Sequence, residues 1–231
     1  MIDEKPGPPP AVEPPSMVTH SAQDYFRASF RNVGLLGFLA DSILVGDFMV
    51  HRLREMLDDN KMETEIDPTM LARQSPGPRT RHLRKYGQEL VESFLTRLVD
   101  SFQVYLSDIL REVLVKRPEI LRSREPTVSL DYLLQFAEME DLLQDVVDSK
   151  VSGLSYKGFD ELEEWYSRKG IPFEVGPDRP QVVELIATRN AIVHNRGRVD
   201  ARYVRAVPTS PFKVGDLRTL EVEYLLNALQ Y

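Results

Sequence analysis

Between His82 and Val115 the apolar residues Val91, Leu95, Leu98, Phe102, Leu106, Ile109 and Val113 recur in steps of four and three. An α-helix brings residues at that spacing onto one face, because each residue advances about 100° around the axis. At about 1.5 Å per residue the helix is on the order of 50 Å long. Arg117-Pro118 is its stop, since the residue before a proline is pushed out of the α region.

Shorter periodic segments surround this long helix. From Ser21-Ala-Gln-Asp24, a capping box, the pattern Tyr25, Phe26, Phe30, Val33, Leu36, Ile43, Leu44, Phe48, Leu53 and Leu57 predicts a helix that Gly34, Gly37 and Gly46 bend or split. Asp58 to Thr80 is polar, ends in Ser75-Pro-Gly-Pro78 and reads as a long surface loop. Further helices are expected over Leu130 to Phe136, Glu140 to Leu154, Phe159 to Arg168, Pro180 to about Asn195, and Thr219 to Gln230. Pro208 to Gly215 is extended, one strand or a hairpin arm. The expected fold class is therefore all-α, a helical bundle around a long central helix with room for one short extended segment near the C-terminus. Prolines at 6, 8, 9, 10, 14 and 15 make residues 1–17 an extended disordered tail, leaving 18–231 as the folded domain.

Of 231 residues, 42% are hydrophobic, enough for one sizeable core. No cysteine is present, which removes disulfides, thiolate catalysis and cysteine-ligated zinc. No apolar stretch near the N-terminus reads as a signal peptide or a membrane span, so the expected compartment is cytoplasmic, without a membrane partner. A net charge of −7 argues against coating nucleic acid by charge alone, while leaving room for a local anion site. Walker, G-x-G-x-x-G, H-E-x-x-H and G-x-S-x-G patterns are missing from the sequence.

The stretch "RNAIVHNRGRVD" concentrates the chemistry. On a helical wheel Val182, Leu185, Ile186, Ile192 and Val193 form an apolar stripe, and Arg189 falls at its centre. A guanidinium there needs carboxylate, phosphate or carbonyl partners for its donors. Asn190 and His194 are four apart and share one edge of the stripe, whereas Arg189 and His194 are about 140° apart on an ideal helix. Either the helix deforms near Asn195-Arg-Gly197, or two copies pack so that one arginine approaches the other's histidine; the second arrangement is favoured.

Arg189-Asn190-Ala-Ile-Val-His194 resembles the R-N-x-x-x-H signature of the HEPN superfamily, all-helical domains found in many prokaryotic toxin and antiviral proteins. The run-on through Gly197 to Asp200, and the order of a long central helix, the "VSLDYLLQFAEMEDLL" element and a late motif helix, are similar to that family's ribonuclease branch. The resemblance covers roughly Val18 to the end; the six-residue motif is its specific part.

This resemblance implies a metal-independent endoribonuclease without cofactors, with a composite site at a homodimer interface, Arg189 and His194 catalytic and Asn190 their polar companion. RNA carries its own nucleophile, the 2′-hydroxyl, so the enzyme must chiefly move protons and stabilise charge. An imidazole, with an ordinary pKa of about 6.5, can take the 2′-hydroxyl proton or protonate the departing 5′-oxygen. Arginine's planar fork can hold two phosphate oxygens. Asn190 would orient either group. Two alternatives stay open: a catalytically inactive HEPN-like module for dimerisation or RNA binding, and a toxin-like subunit restrained by a cognate antitoxin or regulatory protein. In the first, Arg189 is structural and pairs with a carboxylate such as Glu138 or Asp141.

Arg196, Arg198, Arg202 and Arg205 face only Asp200 nearby and could bind the RNA backbone, with Tyr203 stacking on a base. Arg79, Arg81, His82, Arg84 and Lys85 form a second basic cluster that either guides phosphate or is simply a solvated face. Glu161, Glu163 and Glu164 read as the wet face of a helix and not as metal ligands.

Overall fold

The long helix and its neighbours are present in the computed structural model, which describes residues 19–57, 67–122, 129–155, 158–173 and 175–229. The proline-rich tail of residues 1–17 lies outside the described residues. The chain is all-α. Its helices are α1 (His20–Leu57), α2 (Pro68–Gln74), α3 (Pro78–Lys85), α4 (Gly87–Lys116), α5 (Leu130–Leu133), α6 (Met139–Ser155), α7 (Phe159–Arg168), α8 (Arg179–Asn195), α9 (Ala201–Ala206) and α10 (Val222–Ala228). Short 3-10 turns occupy Pro118–Leu121 and Gly176–Asp178.

Helix α4 is the axis of the bundle: α1, α6, α8 and α10 all pack on it. Its Val91, Phe94, Leu95, Leu98, Leu106, Leu110 and Leu114 are buried, against Val147 and Val151 of α6, Leu162 and Tyr166 of α7, and Val182, Leu185 and Ile186 of α8. Arg117 ends α4, as its following proline requires. Arg111 on α4 clamps Asp108 and, at 2.8 Å, Asp148 on α6, fixing the angle between the two helices from outside the core.

Several expectations are corrected. Glycine does not split α1, which runs unbroken for 38 residues. The Gly46 Cα is where the Arg79 guanidinium of α3 packs, and Gly77 lies so close to the Asp47 carboxylate that an added Cβ would sit 2.3 Å from its Cγ. Asp47 accepts the N–H of Arg79 and of Thr80, at 3.1 and 2.7 Å, and so caps α3 from α1. Burial pushes the Asp47 carboxyl up, but those donors win and hold it below the usual carboxylate range.

The expected loop to Thr80 contains α2 and α3, because Pro68 and Pro78 stand in the first turn of a helix, where a missing N–H costs nothing; residues 58–66 lie outside the described residues. Helix α4 begins at Gly87 and not at His82, which belongs to α3. The extended segment expected at Pro208 to Gly215 forms no strand; among the described residues pairing is limited to an isolated antiparallel bridge, Arg198 to Leu217. Helix α9 was not expected.

The absence of any membrane-length apolar stretch is also corrected. By length and composition α1 is long and apolar enough to cross a membrane, with an 18-residue window of mean hydropathy 1.8, only 6% of it buried. Asp41 and Asp47 interrupt its sequence without lowering that average enough.

Candidate functional site

Helix α8 carries the motif and is held in two ways. Its first half buries Val182, Leu185 and Ile186 in the main core, and its second half buries Ala187 and Ala191 in a separate small cluster with Val199, Tyr203 and Val207. The apolar stripe read from sequence therefore stops short: Val193 is about half exposed, and Thr188 is fully buried although the stripe leaves it out.

The helix ends by reversing its backbone. Arg196 is left-handed at φ 54°, Gly197 follows at φ 76°, and the Gly197 N–H closes on the Ala191 carbonyl at 2.9 Å. Backbone bonds from Val199 to Asp216 and from Arg218 to Gly197 then anchor the turn to the C-terminal segment. Asp200 caps α9 by accepting the N–H of Arg202 and Tyr203, and its second oxygen accepts from Asn195 Nδ2 at 3.0 Å. The Tyr203 N–H, then the Asn195 amide and the Arg202 N–H, hold the Asp200 carboxyl below the usual range, outweighing burial. The run-on after the motif is thus a fixed elbow between α8 and α9.

That elbow opens a cleft of about 910 Å³. Arg189, Asn190 and His194 all line it, with Gln103 of α4, Asp160 at the start of α7, and Asp200, Arg202 and Tyr203 from the elbow and α9. Arg189 and His194 thus share one cleft within a single protomer, despite their separation on the wheel. A wheel locates Cβ atoms, and an arginine is long enough to carry its guanidinium sideways around the helix.

The Arg189 side chain is 19% exposed, and its guanidinium is engaged on two sides. Its Nε and Nη2 each lie 2.7 Å from Asp100 Oδ1 on α4, and its Nη1 donates to Asn190 Oδ1 at 3.0 Å. Its carboxylate partner is therefore Asp100, not Glu138 or Asp141. His194 is exposed and makes no hydrogen bond among the described residues. Asn190 is exposed beside it.

The expected RNA contacts fare differently. Arg202 is exposed on the cleft wall. Arg196 and Arg198 are exposed but do not line the cleft, and the Arg198 guanidinium donates to the Gly215 carbonyl at 3.0 Å. Tyr203 is corrected: it is 2% exposed among Ala187, Ala191, Val199 and Val207, so its ring floors the cleft and has no free face for a base.

The second basic cluster lies on α3, away from the cleft lining, and its donors go to nearby carbonyls: Arg81 to Pro76, His82 to Pro78 and Arg84 to Ala72. Glu163 receives Arg179 through both carboxylate oxygens. Sequence reading missed Asp100, Gln103 and Asp160; the signal for Asp100 was a carboxylate one residue from the apolar face of the strongest helix.

Compared with family models, with curated proteins and with solved structures, this chain matches none.

Proposed function

We propose that this chain is a metal-independent endoribonuclease whose reacting groups are Arg189 and His194, with Asn190 beside them, and that it serves as a toxin or antiviral-defence effector, as the HEPN-like motif suggests. The observation that carries this reading is the shared cleft: a guanidinium, an amide and an unengaged imidazole open to the same solvent-filled space. Arg202 adds a second cation to that wall.

In the proposed reaction an imidazole takes the proton of the 2′-hydroxyl, and O2′ attacks the adjacent phosphorus. The bond from phosphorus to the 5′-oxygen breaks, leaving a 2′,3′-cyclic phosphate, and the 5′-oxygen leaves with a proton from an acid. His194 of each protomer in a homodimer supplies one of these roles. Arg189 opposes the charge that builds on the non-bridging oxygens. Asp100 holds the guanidinium through Nε and Nη2 while Nη1 donates to Asn190, and both Arg189 and Asn190 line the cleft.

A second reading is favoured by the same ion pair. An arginine already neutralised inside its own protomer is what a structural arginine looks like, and the chain would then be an inactive dimerisation or RNA-binding module. Incubation with total RNA in excess EDTA separates the two. The nuclease reading expects cleavage by the wild type, and its loss in both Arg189→Ala and His194→Ala at unchanged helical content. Intact RNA with every protein, together with a lowered melting temperature for Arg189→Ala alone, supports the module.

A further inference from the structure

Helix α1 packs one side on α2, α3 and α4 and, among the described residues, leaves the other bare. Phe26, Phe30, Val33, Phe38, Val45, Met49, Leu53 and Met56 are exposed there, Phe38 to 66%. With about 150–250 Å² on each aromatic side chain, the eight together expose on the order of 800 Å². A monomer's largest apolar patch is about 300–600 Å², whereas a stable interface takes about 800 Å² from each partner.

The order of residues on this face says what covers it. Arg27, Arg31, Gly34, Phe38, Asp41 and Val45 are all exposed and follow one another in steps of four and three, so they form a single outward seam. That seam is symmetric about Leu36. When two copies of α1 lie antiparallel across a two-fold axis at Leu36, Phe38 meets Gly34 of the copy, Arg31 meets Asp41, and Arg27 meets Val45. Gly34 has open space where a side chain would be, a notch for the ring. Arg31 and Asp41 make no hydrogen bond or ion pair within the chain among the described residues, although Arg31 also edges the groove between α1 and α4, so each charge can answer the other. A bilayer fits less well, because Asp41 would enter hydrocarbon unpaired, and Asp47 cannot leave the α3 amides it caps.

The geometry points to α1 as a homodimerisation helix, its seam closed by an antiparallel copy through two Arg31 to Asp41 ion pairs and two Phe38 to Gly34 contacts. This contact is argued from α1 alone, and the two readings fail separately: intact RNA from a dimeric wild type sinks the nuclease reading and leaves this contact standing. The test is the solution mass of the full chain by light scattering, for the wild type, Phe38→Asp, Arg31→Asp, Asp41→Arg and the double swap Arg31→Asp/Asp41→Arg. All substituted positions are exposed, and circular dichroism verifies folding. The wild type is expected at twice the chain mass. Each single reversal sets like charges opposite one another twice per dimer and weakens association by at least about tenfold. The double swap restores it, and Phe38→Asp yields monomer. A monomeric wild type, single reversals without effect, or a double swap that fails to recover the dimer overturns the proposal. So does a monomeric wild type that co-sediments with phosphatidylserine vesicles.

Discussion

Asp100 holds Arg189 across the gap between α4 and α8, two of the guanidinium nitrogens converging on one carboxylate oxygen at 2.7 Å. The pair ties the motif helix to the central helix at the edge of the cleft. Asp100 is nearly half exposed, so water screens it. Asp100→Ala is expected to cost about 1 kcal/mol, a fall of about 2–4 °C in Tm by calorimetry. If Asp100 positions Arg189 for phosphate, the same variant loses RNA cleavage by more than that stability loss explains, while Asp100→Glu retains part of it.

Two glycines should respond in opposite directions. Gly77→Ala drives a Cβ into the Asp47 carboxylate and displaces the cap of α3, with an expected cost of about 1–3 kcal/mol. Gly153, inside α6 with open space around it, should gain about 0.5–1 kcal/mol as alanine. Urea midpoints of the two variants, measured side by side, check the sign of each.

Arg196 occupies a left-handed conformation that costs a side-chain-bearing residue about 1–2 kcal/mol. Arg196→Gly removes that strain but enlarges the unfolded ensemble, for an expected net gain of up to about 1 kcal/mol. Because Arg196 does not line the cleft, cleavage rates should change less than for Arg202→Ala; gel-based RNA assays compare them.

Asp47, Asp148 and Asp200 are all held below the ordinary aspartate range: Asp47 by the Thr80 and Arg79 amides against burial, Asp148 chiefly by Arg111, and Asp200 chiefly by the Tyr203 N–H. The folded state therefore binds fewer protons than the unfolded one over this range. The stabilisation is complete above the unfolded pKa of about 3.9 and is lost as pH falls through the lower folded values. Denaturant midpoints should hold from pH 7 to about 5 and then drop towards pH 3, less steeply in Asp200→Asn. A midpoint unchanged at pH 3 contradicts this.

Much of the architecture was legible because large apolar residues at helical spacing reveal long, buried helices, and α4, α6 and α7 fall close to where that spacing puts them. What stayed hidden follows from the same method. Asp58 to Thr80 reads as a loop although Pro68 and Pro78 open helices, and only the partners, Arg79 on α3 for Gly46 and Asp47 on α1 for Gly77, show why those glycines are needed. At the site, Ala187, Thr188 and Ala191 bury the second half of α8, and small residues leave no trace in a periodicity of large ones. Asp100 lies 89 residues from Arg189, a separation no local pattern spans. Tyr203 looked available beside Arg202 because alternation along α9 depends on its packing against α8, which the sequence does not display.

The nuclease reading rests on the chemistry of one bond cleavage, and the ends of the cut strands report it most directly. Total cellular RNA incubated with the full chain in excess EDTA should yield new fragments ending in 2′,3′-cyclic phosphate, with 5′-hydroxyls on the downstream pieces, and His194→Ala should yield none. Intact RNA, cleavage that needs added divalent metal, or fragments ending in a plain 3′-hydroxyl would contradict it.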